Sequence, residues 1–119
     1  MNAMTNGAEA SRARGLSTDL EREIVSRIVA TARPARIVLF GSAATGTMGQ
    51  ESDVDLLVLQ DNGANPREET VRIRTALSGL GLAFDVVVMP LARYDETKDV
   101  IGGIAYPAHK YGRVLYEAR

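Results

Sequence analysis

Two apolar runs separated by a stretch of small residues constrain this chain more than any other feature of its sequence. The first run, Ile37 to Phe40, leads into Gly41 and Ser42, and the second begins with Asp53 and Asp55. Strand side chains alternate between faces, so the two carboxylates are expected close together on one face. Like charges so placed repel each other unless a cation lies between them. The sequence therefore predicts two strands that present polar groups at one end.

The residue types at this end suit phosphate and metal chemistry. Gly41 lets the backbone approach a ligand closely, and Ser42 begins a small-residue segment whose amides can face an anion. A third carboxylate, Asp85, lies inside the apolar run from Leu82 to Met89, where an unpartnered charge is costly. Metal ligation by all three aspartates removes that cost, and carboxylate oxygens completed by water and phosphate suit Mg²⁺. Either motif alone is usually a turn, a cap or a solvated face.

Taken together, Gly41-Ser42, Asp53-Val54-Asp55 and the later Asp85 resemble the minimal nucleotidyltransferases of the DNA polymerase beta-like superfamily. The closing pattern Ala-x-x-x-Gly-x-Val-Leu-Tyr is similar to the end of antitoxin subunits from HEPN/MNT toxin-antitoxin pairs. The resemblance implies an α/β fold in which helices pack against a small mixed β-sheet. Alternation of strands and helices along the chain independently favours the α/β class.

The resemblance also implies a function and roles for the motif residues. Gly41 and Ser42 would hold the β- and γ-phosphates of ATP, and Asp53, Asp55 and Asp85 would bind two Mg²⁺ ions. The third aspartate would also help to deprotonate the acceptor. In HEPN/MNT pairs, AMP is transferred to a tyrosine hydroxyl of the HEPN-type toxin, which is thereby silenced. Two cations about 3.5–4 Å apart suit such an in-line displacement.

Two alternatives remain open from the sequence. Family members often carry arginines in the turn after the Gly-Ser pair, whereas this chain has Ala43 and Thr45 there. A catalytically weak antitoxin that only occludes its partner is therefore one alternative, although the three aspartates favour an enzyme. A small-molecule nucleotidyltransferase of the aminoglycoside-modifying kind is the other. It requires an acceptor pocket for which 119 residues leave little chain.

Composition excludes several other classes of protein. The formal net charge is -1, which gives no general field for nucleic acid. The chain has no cysteine and one histidine, so any metal site has to be based on carboxylates. No apolar run approaches the roughly 18 residues of a membrane span, and we expect a cytoplasmic protein. We expect residues 1–15 to be a disordered leader and 16–119 a single domain, with the oligomeric state left open.

Helical spacing predicts a helix that ends near Ala32, opened by a capping box from Thr18 to Glu21. A second helix is predicted from Glu68 to Leu80, with its arginines on a solvated face. The remaining predictions concern the C-terminal third: a short helix or turn at 91–99, a helix through Lys110 and an edge strand at 114–116. His109 is interpreted as an exposed or partly packed helix residue rather than a catalytic one. The segment 106–116 is our candidate docking edge, because aromatic residues are enriched in interfaces.

Overall fold

The computed structural model describes residues 16–46, 53–61, 63 and 65–118. Within these residues the elements are, in chain order, α1 (Thr18–Ala32), β1 (Arg36–Phe40), α2 (Ser42–Thr45), β2 (Val54–Gln60), α3 (Pro66–Ala76), β3 (Phe84–Pro90), α4 (Leu91–Thr97), α5 (Ala105–Tyr111) and β4 (Arg113–Glu117). The predicted leader at 1–15 and the second half of the turn, 47–52, lie outside the described residues. No helix in the described ranges is long and apolar enough to cross a bilayer.

The first helix ends where the sequence predicts but begins with a different cap. The Ser17 hydroxyl accepts a hydrogen bond from the Leu20 amide at 3.2 Å. The cap lies one residue before the predicted capping box, and the third helical position holds a leucine, which cannot complete such a box. Ile24 and Ile28 are buried on one face of the helix. Arg33 ends it in the left-handed conformation at φ 47°.

The sheet is mixed, as predicted. Its strand order is β3, β2, β1, β4. β1 pairs antiparallel with both β2 and β4, whereas β2 and β3 are parallel. The expected central position of β1 and the expected edge position of β4 are both confirmed. This topology brings the end of β1 beside the beginnings of β2 and β3, which is where the sequence has its polar residues.

Helices cover both faces of the sheet. α1 and α3 pack on one face, where they form a core with alternate strand residues, among them Leu56, Val58 and Val86. α4 and α5 pack on the other face against Val38, Leu57 and Leu59. Since neighbouring strand residues alternate between the faces, the side chain of Asp55 falls on the face of Leu57 and Leu59. That face is covered only by short helices.

A buried polar network connects the far end of β2 to α1 and α3. The Gln60 amide nitrogen donates to Glu69 at 3.0 Å and to the carbonyl of Ala32 at 3.3 Å. Arg72 donates to the same carboxylate and to the carbonyl of Thr31, each at 2.7 Å. This arginine is therefore not simply solvated, as the sequence had suggested. The network holds both helices on the sheet because an unpaired buried carboxylate would be costly.

The second long helix ends earlier than predicted. Its start follows the sequence signals, since Asn65 caps it by accepting from two first-turn amides at 3.0 and 3.3 Å and a proline follows. It ends before the predicted Leu80. Gly79 and Gly81 lie in the loop that follows, with φ of 88° and 78°. Their positive φ angles turn the chain back toward the sheet, which brings the beginning of β3 next to β2.

Candidate active site

Gly41 ends β1 in a conformation and at a distance that only glycine tolerates. Its φ is 72°, in the left-handed region. A Cβ atom at this position would lie 2.1 Å from the Oδ2 atom of Asp55. The backbone of the Gly-Ser turn therefore lies directly against the carboxylate of the neighbouring strand, and the predicted ligand loop and the predicted carboxylates share one end of the sheet.

The residues that follow form a single helical turn, α2, rather than the irregular turn that composition suggests. Ser42 is its first residue. The amides of Ala44 and Thr45 donate to the carbonyl of Gly41 at 3.1 and 3.3 Å, so that within this turn only the amides of Ser42 and Ala43 lack a helical partner. Ala43 is 3% exposed and belongs to the core, whereas Thr45 is exposed. The Thr45 hydroxyl lies 3.4 Å from the carbonyls of Gly41 and Ser42. Of the two positions that lack the family's arginines, only the second has room for a long side chain.

Asp55 and Asp85 are brought together by strand pairing. They are direct partners across the parallel β2–β3 pair, so their side chains project from the same face. The two carboxyl groups lie close enough together for the charge of Asp85 to raise the pKa of the Asp55 carboxyl. Phe40, at the end of β1, is the partner of Asp55 on its other side. Asp55 thus lies on an inner strand, whereas Asp85 lies on the edge strand β3 and is exposed. The prediction that Asp85 is a buried charge is therefore wrong, because β3 has a neighbouring strand on only one side.

The environment of Asp55 disfavours its negative charge. Partial burial raises the pKa of its carboxyl above the usual value, the charges of Asp85 and Asp53 raise it further, and the hydrogen bond to Asp85 adds to this effect. A carboxyl that holds a proton more tightly than usual beside a second carboxyl is the expected state of such a pair without a cation. The site is therefore electrostatically unfavourable when both groups are ionised.

Asp53 lies beside this pair rather than in it. It is exposed and directly precedes β2, and its charge acts on Asp55. Asp53 also lines a cavity on the side of α3. Among the residues that the structure describes, no three His, Cys, Asp or Glu side chains are grouped so that they could hold a metal ion. The structure thus brings Asp55 and Asp85 together, and the three-aspartate site stays a prediction.

The carboxyl pair has the chemistry of a divalent-cation site. Mg²⁺ is usually bound by one or two carboxylates, with waters and substrate phosphates as its remaining ligands. Asp55 and Asp85 supply two such carboxylates, and a cation between them would offset the charges of Asp85 and Asp53 that help to raise the pKa of Asp55. The adjoining backbone at Gly41 approaches the Asp55 carboxylate closely because glycine carries no side chain, so a phosphate held at this turn would lie beside the carboxyl pair. The residues present fit Mg²⁺ together with a nucleotide phosphate.

His109 belongs to neither the carboxyl pair nor the Gly-Ser turn. It lies on α5, about half exposed, with its ring edge-on to Tyr94 at 6.3 Å between centroids. Its Nε2 atom is 4.0 Å from Asp99. The expectation of a partly packed helix residue is confirmed.

One candidate functional residue went unrecognised in the sequence. Arg74, in the last turn of α3, lines the same cavity as Asp53. Local sequence does not separate it from the other arginines of its helix, because the cavity brings together residues 21 positions apart. Only the return of the chain after α3 places the two side chains at one cavity.

Comparison with known proteins extends this description. Residues 21–104 match the family model described as a nucleotidyltransferase domain. A protein of Methanocaldococcus jannaschii named "putative protein adenylyltransferase" is 38% identical over 56 residues, which cover 47% of this chain and 56% of the relative. The chain thus matches only about half the length of that relative.

Two solved structures have a similar fold. One is described as a mutant of the toxin-antitoxin MntA-HpeT, and the other as a toxin-antitoxin with AMP-PNP. Their TM-scores are 0.61 and 0.54, each at 21% identity, and each match covers 83% of this chain and 74% of the other. At this identity the two structures show the fold alone.

The matched region, 21–104, is more than half of the chain and contains the Gly-Ser pair and all three aspartates. Both the predicted fold class and the resemblance drawn from these motifs are confirmed at the level of the family. The chain belongs to the nucleotidyltransferase domain family.

Proposed function

We propose that this protein is a Mg²⁺-dependent nucleotidyltransferase that moves AMP from ATP to a hydroxyl of a partner protein. The observation that carries the proposal is the Asp55–Asp85 carboxyl pair directly beside the Gly41 backbone. Family membership supports the reaction class. The name of the Methanocaldococcus relative supports adenylyl transfer to a protein.

Each element of the site has a distinct role in the proposal. Gly41 and Ser42 receive the β- and γ-phosphates at the start of α2, because an open backbone and first-turn amides suit an anion. Asp53, Asp55 and Asp85 provide the carboxylates for two Mg²⁺ ions. The bound cations supply positive charge that offsets the charge of the reacting phosphate. Asp53 joins the pair by a change of side-chain rotamer, since it lies at the rim of the site.

The reaction is an in-line displacement at the α-phosphorus. The acceptor oxygen forms a bond to this phosphorus while the bond to the bridging oxygen of the β-phosphate breaks, and pyrophosphate leaves. Asp85 takes the proton of the acceptor hydroxyl, because it lies on the side of the sheet away from Gly41. The products are an adenylylated acceptor, pyrophosphate and a proton.

The acceptor in this proposal is a tyrosine of a HEPN-type toxin, and this protein is the corresponding antitoxin. The fold shared with toxin-antitoxin structures supports this role. The segment 106–116 is the proposed docking edge. Tyr111 is 57% exposed and Val114 52% exposed, which gives this edge two large apolar side chains available to a partner. Tyr106 and Tyr116 are partly buried and contribute less.

The proposal is tested by incubating the purified protein with the product of the neighbouring open reading frame, labelled ATP and Mg²⁺. Intact mass measurement should show the neighbour heavier by one or more AMP units, and replacement of Asp55 by Asn should abolish this gain. Labelling of small hydroxyl compounds with the neighbour untouched would favour the small-molecule alternative. Tight binding of the neighbour without any transfer would favour the occluding antitoxin.

A further inference from the structure

The two edge strands of the sheet are protected from other chains to different degrees. β4 is five residues long, has a charged residue at each end, and pairs with β1 through a register shift. β3 is seven residues long, and Asp85 is its only charged residue. Short length, charges and bulges are the features that keep natural edge strands from pairing with other chains. β3 has a single charge and none of the other features, so it is the edge that can accept a further strand.

The backbone groups on the outer side of β3 follow from one hydrogen bond. The amide of Val54 donates to the carbonyl of Ala83 at 2.8 Å, which fixes the residues of β3 that face β2 as the odd-numbered ones. The N–H and C=O groups of Phe84, Val86 and Val88 therefore point away from the sheet. Within the described part of the chain, no backbone group of a turn or loop pairs with them.

An open apolar groove of about 400 Å³ runs beside this edge, between β3 and α3. Val86, Val87 and Val88 line it from the strand, and Val71 lines it from the helix. Val71 is 61% exposed, so the groove has apolar surface that the fold itself does not cover. Side chains of an extended segment alternate between faces, and every second one would enter this groove.

The charges beside the groove favour an acidic occupant. Arg67 lines the groove, and Arg74 lies two turns further along the same side of α3, beside Phe84 at the start of the strand. Neither arginine forms an ion pair with another described residue, whereas Arg72 of the same helix is bound to Glu69. Acidic side chains near the two ends of an added strand would pair with these two guanidinium groups.

A second copy of this chain fits the edge less well. If β3 paired antiparallel with β3 of a copy, the Arg67 end of one α3 would meet the Arg74 end of the other, and like charges repel. The N-terminal residues 1–15 carry two arginines and one glutamate, which do not complement the arginines either. The occupant that fits is an acidic segment of the partner protein.

Asp85 connects this edge with the candidate active site. Its side chain is exposed and projects from the face opposite to that of Val86 and Val88. A residue paired with Asp85 across an antiparallel edge would project from the same face, with the two Cβ atoms about 4.5–5.5 Å apart. A segment bound to β3 therefore brings one side chain beside Asp85 while the neighbouring side chains enter the groove.

We propose that β3 binds an extended acidic segment of the partner protein as a fifth strand, and that this segment carries the acceptor residue to Asp85. The inference rests on the proposed function and adds to it the surface that holds the acceptor segment. Backbone hydrogen bonds to the edge provide affinity, and the groove and the two arginines provide specificity. The segment 106–116 stays the proposed contact for the body of the partner.

The test uses two peptides that differ only in charge. In acetyl-Glu-Thr-Val-Tyr-Glu-amide, antiparallel pairing with β3 places the tyrosine opposite Asp85 and the valine opposite Val86. Its control is acetyl-Lys-Thr-Val-Tyr-Lys-amide. The measurements are the Kd of each peptide in the presence of AMP-PNP and Mg²⁺, AMP transfer to each peptide and to N-acetyltyrosinamide, the Kd for AMP-PNP, and the unfolding midpoint.

Two variants of this chain address the edge and its charge. Val88→Pro removes an outward N–H group without removing a hydrogen bond to β2, and Val88→Ala is the matched control that keeps the N–H group. Arg67→Glu reverses one charge beside the groove. Its control is Arg93→Glu, at an exposed residue of α4 on the other face of the sheet.

We expect the wild type to bind the acidic peptide more tightly than the lysine peptide. Val88→Pro should weaken that binding at least about threefold relative to Val88→Ala, as expected for loss of one hydrogen bond. Arg67→Glu should reverse the preference between the peptides, and Arg93→Glu should not. The Kd for AMP-PNP and transfer to N-acetyltyrosinamide should be unchanged. If Val88→Pro fails to fold, the reversal of preference in Arg67→Glu is the test by itself.

Failure of the inference and failure of the proposed function give different results. If N-acetyltyrosinamide is labelled but neither variant alters peptide binding, the inference is wrong and the function stands. A homodimer of the wild type that dissociates in Val88→Pro would assign the edge to a second copy and overturn the inference. If the variants alter peptide binding as expected but no tyrosine compound is labelled, strand addition is supported and the proposed function is wrong.

Discussion

At the scale of single residues, the carboxyl pair that we propose to bind Mg²⁺ is expected to lower the stability of the metal-free protein. Asp55 and Asp85 are adjacent across β2 and β3, and the pKa of Asp55 is raised by burial and by both neighbouring aspartates. An acid whose pKa is raised on folding supports the folded state fully below its unfolded pKa. That support is lost as the pH rises through the folded pKa. The metal-free protein should therefore become less stable as Asp55 ionises.

The first prediction concerns removal of the charges. Asp53→Asn together with Asp55→Asn should abolish transfer and leave the metal-free protein at least as stable as the wild type at neutral pH, because clustered like charges are relieved. Transfer assays and denaturant unfolding measure the two effects. Asp61→Asn, which changes an exposed aspartate just after β2, is the matched control. A double variant that retains wild-type transfer, or one that simply unfolds, would remove the main support for the site.

The second prediction concerns the metal. Adding Mg²⁺ to metal-free wild type at neutral pH should raise the unfolding midpoint, because a cation that binds only the folded state stabilises it by mass action. The rise should shrink as the pH falls and Asp55 becomes protonated, since the raised pKa places that protonation at higher pH than usual. Scanning calorimetry with and without EDTA measures the unfolding midpoint at each pH. An equal rise in the Asp53→Asn, Asp55→Asn variant would mean that Mg²⁺ binds elsewhere.

The third prediction concerns Gly41. Gly41→Ala should lower the free energy of unfolding by at least about 1–2 kcal/mol, the cost of a left-handed conformation for a residue with a Cβ. It should also abolish transfer, since the added atom would lie 2.1 Å from Asp55 Oδ2. Gly103→Ala is the control, as nothing lies within 4 Å of a Cβ there. Retention of full activity in Gly41→Ala would show that the close approach is not required.

At the scale of elements, β1 and β2 were predictable, whereas the end of α3 and the start of β3 were not. β1 and β2 are apolar runs bounded by turn residues, which a local pattern reveals. The pairing of Asp55 with Asp85 followed only from strand register, which local sequence does not specify. The early end of α3 and the start of β3 at Phe84, two residues after the predicted start, depend on a loop with two positive-φ glycines. The cavity lined by Asp53 and Arg74 is bordered by that loop and therefore could not be predicted from the sequence.

The fourth prediction belongs to α2. Thr45→Arg should lower the KM for ATP by up to roughly fivefold, because an exposed cation beside the phosphates contributes up to about 1 kcal/mol. Ala43→Arg should instead unfold the protein, because Ala43 is 3% exposed and packs in the core. ATP titrations of the transfer reaction and unfolding midpoints distinguish the two. A raised KM in a folded Thr45→Arg variant would show that the triphosphate does not lie along α2.

At the scale of the whole molecule, the candidate site and the proposed docking surface lie on different parts of the sheet. One end of β1, β2 and β3 carries the candidate site, while β4 and the preceding helix form a separate surface on the far side of β1. The net charge of -1 provides no long-range attraction for a partner of either sign. Under the proposed function, recognition of the partner protein therefore depends on local contacts, and the exposed side chains of Tyr111 and Val114 are our candidates on this surface.

The last prediction separates docking from chemistry. Tyr111→Ala with Val114→Asp should weaken binding of the neighbouring protein by roughly 30-fold or more, the loss of about 2 kcal/mol expected when an interface hot spot is removed. Transfer to N-acetyltyrosinamide should be unchanged, because this acceptor needs the site but not the docking surface. Ile101→Asp, at a residue 79% exposed in the loop before α5, is the control for adding a charge to an exposed apolar position. Titration calorimetry and the two transfer assays measure the effects.

Two outcomes would contradict this prediction. If the double variant binds the neighbour normally, the partner docks elsewhere on the molecule. If both transfer reactions fall together, the C-terminal segment supports the active site rather than the partner.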